Sequence, residues 1–89
     1  MFNYSVDVNV ENNIKKAVSL VNGNYEFVLA SKFSQIEKDN YLYLVLAKGG
    51  YKEGSYVTWM YNDSYSALSN GHYDLDLKSA LIDLSNRIS

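Results

Sequence analysis

Cysteine and proline are both absent from the chain. Without thiols there is neither a disulfide framework nor a thiolate metal site, a composition that suits a reducing cytoplasm. Without proline, the turns fall to glycine, asparagine and aspartate. Net charge is also scarce: eight Lys and Arg oppose ten Asp and Glu, a formal charge of −2. No basic surplus is left to neutralise phosphates, so direct nucleic-acid binding is not expected. The longest apolar-rich run, "YLYLVLA" at 41–47, is far short of the ~20 residues that span a bilayer. The opening "MFNYSVDVNVENN" has no basic segment followed by an apolar one, so neither a secretion signal nor membrane association is expected.

Aromatic residues are plentiful: nine Tyr, three Phe and one Trp in 89 residues. Each buries a large area, which argues for a folded chain, and this length accommodates one core. A single domain over 1–89 is expected. "NGN" at 22–24, "KDN" at 38–40, "KGGYKEG" at 48–54, "NDS" at 62–64 and "SNG" at 69–71 are its turn candidates.

Between these turns the periodicities are readable. Phe2, Tyr4, Val6, Val8 and Val10 alternate with polar residues, the period of a half-buried strand. Ile14, Ala17, Val18 and Val21 recur at helical spacing, with Asn12 or Asn13 as N-cap and Gly23 as stop. Tyr25 to Ala30 reads as a strand on its β-formers, although Leu29, Phe33 and Ile36 also fit a helix. Tyr41 to Ala47 is apolar on both faces and predicts a central strand. Ser55 to Tyr61 and Ser69 to Asp74 supply two more strands. Asp76 then caps a helix whose Leu77, Ala80, Leu81, Leu84 and Ile88 share a face, with Leu75 placed to staple against Ala80. The expectation is an α+β fold in the order β-α-β-β-β-β-α, an antiparallel sheet of four or five strands with two helices.

No catalytic signature stands out. His72 is the only histidine, with Asp74 and Asp76 nearby, and Ser64, Ser66 and Ser69 lie on turn-forming sequence with no nucleophile elbow. A strand histidine bonded locally is the simpler reading, and no enzyme activity is expected. One imidazole with two carboxylates is a poor metal set, and Asp76 is better used as a cap. "KGGYKEG" matches no phosphate-binding spacing and reads as a hairpin turn. No cofactor is expected.

The strand alternation raises a different possibility. If Leu42, Leu44 and Leu46 face the helices with Val57 and Trp59, then Tyr41, Tyr43, Tyr56 and Met60 point to the other side of the sheet. Tyr and Met suit protein contact, through large area, polar tips and adaptable packing. These four are the candidate partner-binding residues, unless the N-terminal strand, a helix or a second copy covers them. A homodimer or larger homo-oligomer closing on this aromatic face, with a structural or regulatory role, is the alternative.

"YLYLVLAK" at 41–48, "YVTWMYN" at 56–62 and "NGHYDLDLKSALIDLSNR" at 70–87 resemble a group of small accessory proteins of phages and conjugative elements of low-GC Gram-positive bacteria. The shared form is a V-T-W strand, a G-H-Y strand, and a helix with A-x-x-D and a late Arg. It covers the chain from Tyr41 onward. Some such proteins inhibit host defence, CRISPR effectors included, and the family supplies no catalytic residues. The resemblance implies a non-enzymatic inhibitor acting in the bacterial cytoplasm on a host protein such as a defence nuclease.

Overall fold

The computed structural model describes residues 6–88. The elements are α1 (Val8–Ser19), β1 (Glu26–Glu37), β2 (Asn40–Lys48), β3 (Tyr56–Asn62), β4 (Ala67–Leu75) and α2 (Leu77–Ile88). The strands form one sheet in the order β1-β2-β3-β4, every neighbouring pair antiparallel. β2 is central, as its two apolar faces require.

The expected first strand is not formed where the structure can be described. Phe2 and Tyr4 lie outside the described residues, and Val8 and Val10 belong to α1. Asp7 decides this locally: its carboxylate accepts from Asn9 N at 2.7 Å, which makes it the N-cap in place of Asn12 or Asn13. From there Val10, Ile14 and Val18 recur every four residues, with Ala17 and Val21 beside them, and this stripe packs on the sheet. Val8, off the stripe, is exposed. The helix ends at Leu20, before Gly23.

β1 continues as a strand through residues 30–37, which removes the helical alternative. Its pairing with β2 shifts between Phe27 and Leu29, so Phe27 faces α1 while Leu29 and Phe33 face the other way.

Each helix covers one face of the sheet. On one side Ile14 and Val18 of α1 are buried with Tyr43, Val45, Ala47, Val57, Trp59 and Tyr61. On the other, Ala80 and Leu84 of α2 are buried with Leu44 and Leu46, and Leu29, Phe33, Tyr56, Met60 and Leu75 pack around them. Of the expected apolar face of α2, Leu77, Leu81 and Ile88 remain 45%, 44% and 51% exposed. At the start of α2, Asp76 accepts from Ser79 N at 2.7 Å, as a cap should.

Candidate binding site beside the β4 bulges

Tyr41, Tyr43, Tyr56 and Met60 do not share a surface. In the β2–β3 register Tyr43 stands opposite Tyr61, Val45 opposite Trp59 and Leu44 opposite Met60. The side of Val57 and Trp59 is therefore the side of the β2 tyrosines, not of its leucines. A change of one residue in register exchanges the faces of a whole strand. Tyr41 and Tyr43 lie under α1, where Tyr43 is only 3% exposed and Lys32 Nζ sits 4.2 Å from the Tyr41 ring centre. Tyr56 and Met60 lie on the α2 side. The single aromatic face behind both the partner-binding set and the self-association alternative is therefore not formed: Tyr43 is buried, and Tyr41, Tyr56 and Met60 are half-buried on two different sides of the sheet.

The unusual geometry is in β4. Two residues, Asn70 and Gly71, stand opposite Trp59 alone, and Tyr73 and Asp74 stand opposite Val57 alone. Asn70 and Asp74 take φ of 53° and 58°, a left-handed conformation that Asn and Asp tolerate better than other side chains. These two bulges re-aim the strand. His72 falls on the α2 side beside Thr58, whereas Tyr73 reaches the opposite side, where its hydroxyl accepts from Trp59 Nε1 at 3.0 Å. Gly71 makes room for this, because a Cβ there would collide with the Tyr73 phenol.

On the α2 side, the residues of the V-T-W, G-H-Y and A-x-x-D…R motifs converge. His72 Nδ1 lies 2.9 Å from each carboxylate oxygen of Asp83. The Thr58 hydroxyl donates to Asp83, and Arg87 Nε donates to the same carboxylate at 3.2 Å. Arg87 also donates from Nη2 to Thr58 Oγ1 at 3.1 Å and to the Asn70 carbonyl, and the same nitrogen stands 2.9 Å from His72 Nδ1. Burial alone would raise the Asp83 pKa, but the hydrogen bonds from Thr58, His72 and Arg87 outweigh it and lower it. The arrangement ties α2 to β3 and β4. The partner of His72 is thus a helical aspartate eleven residues on; Asp74 lies within the second bulge, and Asp76 is the cap.

On the α1 side the second bulge opens into a cleft of about 400 Å³, lined by Val21, Asn22, Tyr25, Tyr51, Tyr73 and Asp74. The Tyr25 ring meets Trp59 edge-on at 5.0 Å and Tyr73 at 6.4 Å, and Tyr73 meets Trp59 at 6.0 Å. This mutual packing fixes the wall. Tyr51 comes from the Gly-rich turn between β2 and β3. Ser55 closes that turn: its hydroxyl lies 2.9 Å from the Gly49 carbonyl and 2.6 Å from that of Lys52. Gly50, at φ 121°, brings the turn against the wall: the point a Cβ would occupy is 3.4 Å from Asp74 Oδ1 and 3.6 Å from Tyr25 Oη. Burial raises the Tyr25 pKa, and the acidic groups of Tyr73, Asp74 and Tyr51 push it the same way.

None of these cleft residues is in the partner-binding set expected from strand alternation. The readable signals were the paired glycines before Tyr51 and the left-handed tolerance of Asp74. Among the described residues no three metal-ligating side chains cluster, and no helix is long and apolar enough to cross a membrane. Comparison with known proteins finds no matching family model, no matching curated protein and no matching solved structure.

Proposed function

We propose that this chain is a non-enzymatic binding module that captures another protein through the Tyr25–Tyr51–Tyr73–Asp74 cleft. One observation carries the reading: rings from three separate segments and a carboxylate converge on an open cleft of about 400 Å³. A wall of Tyr25 and Tyr73 packed on Trp59, with one carboxylate and the exposed Tyr51 ring at the rim, suits the capture of a side chain. The His72–Asp83 pair has the outline of a general-base dyad, but Arg87 also faces the imidazole nitrogen that Asp83 engages, and the cluster holds α2 in place. The partner class in this reading is the one the resemblance implies, a host protein of bacterial defence such as a CRISPR effector nuclease. On it the chain acts in the cytoplasm by occluding a surface.

The test is inhibition of a purified effector nuclease by the wild-type chain and by Tyr51→Ala. Tyr51 is 95% exposed, so its removal leaves the core intact. The wild type is expected to suppress cleavage at a fixed stoichiometry, and Tyr51→Ala to require about tenfold more protein, as loss of a strong aromatic contact does. Equal potency of the two removes the cleft from the reading.

Self-association remains a second reading, on a different surface. Leu77, Leu81 and Ile88 form a half-exposed stripe along α2. Sedimentation distinguishes the two readings: a dimer that Leu81→Glu converts to a monomer supports this one, and a wild-type monomer at low micromolar concentration counts against it.

A further inference from the structure

We infer that the cleft of Tyr25, Tyr51, Tyr73 and Asp74 is a cation-recognition site, whose occupant is a lysine or arginine side chain of the partner protein. The inference rests on the cleft being the recognition site, as proposed above.

Charge complementarity is the first ground. Three phenol rings and one carboxylate line the cleft, and no Lys, Arg or His does. Ring faces carry negative potential and attract cations, most strongly where water is partly excluded. Among the described residues Asp74 has no ion pair, although eight Lys and Arg are available in the chain. Arg87 is committed to the opposite side of the sheet, with Asp83.

Geometry is the second ground. The β4 bulge places Tyr73 and Asp74, consecutive in sequence, opposite a single residue of β3, so both reach the same cleft. A regular strand would send them to opposite faces. The bulge therefore joins an aromatic wall to a carboxylate, the pairing a basic side chain needs. Its alkyl or guanidinium portion lies against the rings while its charged end donates to the acid. A quaternary ammonium, which has no N–H, would offer the exposed carboxylate charge attraction but no hydrogen bond of its own. The chain thus favours a side chain that donates.

The experiment is an NMR titration of the intact protein, following the ring signals of Tyr25, Tyr51 and Tyr73 and the Trp59 indole N–H. The probes are the Nα-acetyl N-methylamides of lysine, arginine and norleucine, with choline as a free quaternary ammonium. The lysine or arginine amide is expected to give saturable shifts at these signals with Kd on the order of 10 mM, about tenfold tighter than norleucine. Asp74→Asn keeps the left-handed tolerance and removes the charge; it should weaken the basic probes about fivefold and leave norleucine unchanged. Tyr51→Ala, at a side chain outside the core, should also weaken them.

Norleucine binding as well as the basic probes would overturn the cation assignment while leaving the cleft as an apolar recognition site. Choline binding more tightly than both would overturn a protein side chain as the occupant. Absence of saturable shifts with every probe would also overturn the inference. In that case, effector inhibition by Tyr51→Ala still decides separately whether the cleft contacts a partner.

Discussion

His72 Nδ1 lies 2.9 Å from both carboxylate oxygens of Asp83, which joins the last strand to the last helix. The same carboxylate accepts from Thr58 and Arg87, and α2 buries only Ala80 and Leu84 as apolar anchors. So narrow an apolar contact leaves much of the docking of α2 to Asp83. Asp83→Ala would leave the buried Thr58 hydroxyl and an Arg87 side chain only 10% exposed without their shared acceptor. The expected loss is about 2–3 kcal/mol, the range for hydrogen bonds to a charged, partly buried group. Urea unfolding measures it. A loss within error of zero would mean that α2 is held by Ala80 and Leu84 alone.

The same carboxylate sets an acid dependence. Although burial opposes the shift, the hydrogen bonds hold its folded-state pKa below the ordinary value. A depressed carboxylate pKa contributes stability that is complete above the unfolded value of about 3.9 and is lost as pH falls through the folded value. Asp76 acts with the same sign, chiefly through the Ser79 backbone N–H. Wild-type stability should therefore fall below about pH 4. The advantage of wild type over Asp83→Asn should shrink over that same window. A constant difference down to about pH 2 would show that the Asp83 hydrogen bonds do not depend on its ionisation.

Much of this architecture was legible, for identifiable reasons. β2 announced itself because both of its faces are apolar, and α2 because Asp76 and the Leu84 stripe agree on where it starts and what it buries. The N-terminal alternation misled because Val6 and Val10 fit both periods. Asp7, read as a polar strand residue, is the helix cap. The cross-strand register was open for a related reason. With β2 apolar on both sides, either set of its residues satisfies the Val57–Trp59 face, and only the pairing of Val45 with Trp59 decides. The thirteen-atom logic of a helix can be read locally; the partner of a strand cannot. The motifs held Thr58, His72, Asp83 and Arg87 in view without showing that they meet. The cleft required the bulge at Tyr73 and Asp74, which alternation cannot express.

That bulge has its own signature. Asp74 sits at φ 58°, where a β-branched side chain meets its own backbone. Asp74→Val should destabilise the protein by about 1–2 kcal/mol. Asp74→Gly, which adopts this conformation freely, should be no worse than Asp74→Asn. Thermal unfolding of the three variants orders them. A valine variant as stable as the glycine variant would show that β4 can straighten at this position without penalty.

Tyr61 offers the opposite kind of test, because its ring fits the core and its hydroxyl does not. The side chain is fully buried between α1 and the sheet, and its ring lies 6.4 Å from that of Tyr43. Its Oη has no hydrogen-bond partner among the described residues. Burying a hydroxyl removes its bonds to water, and without a replacement that loss is uncompensated. Deleting the oxygen while keeping the ring retains the packing and removes the desolvation penalty. Tyr61→Phe should therefore raise stability by up to about 1 kcal/mol, seen as a higher urea midpoint with an unchanged slope. A drop of similar size would reveal a partner for the hydroxyl in solution. The packing of α1 predicts a gain, because a phenylalanine at this position meets the same Ile14, Val18 and Tyr43 surface.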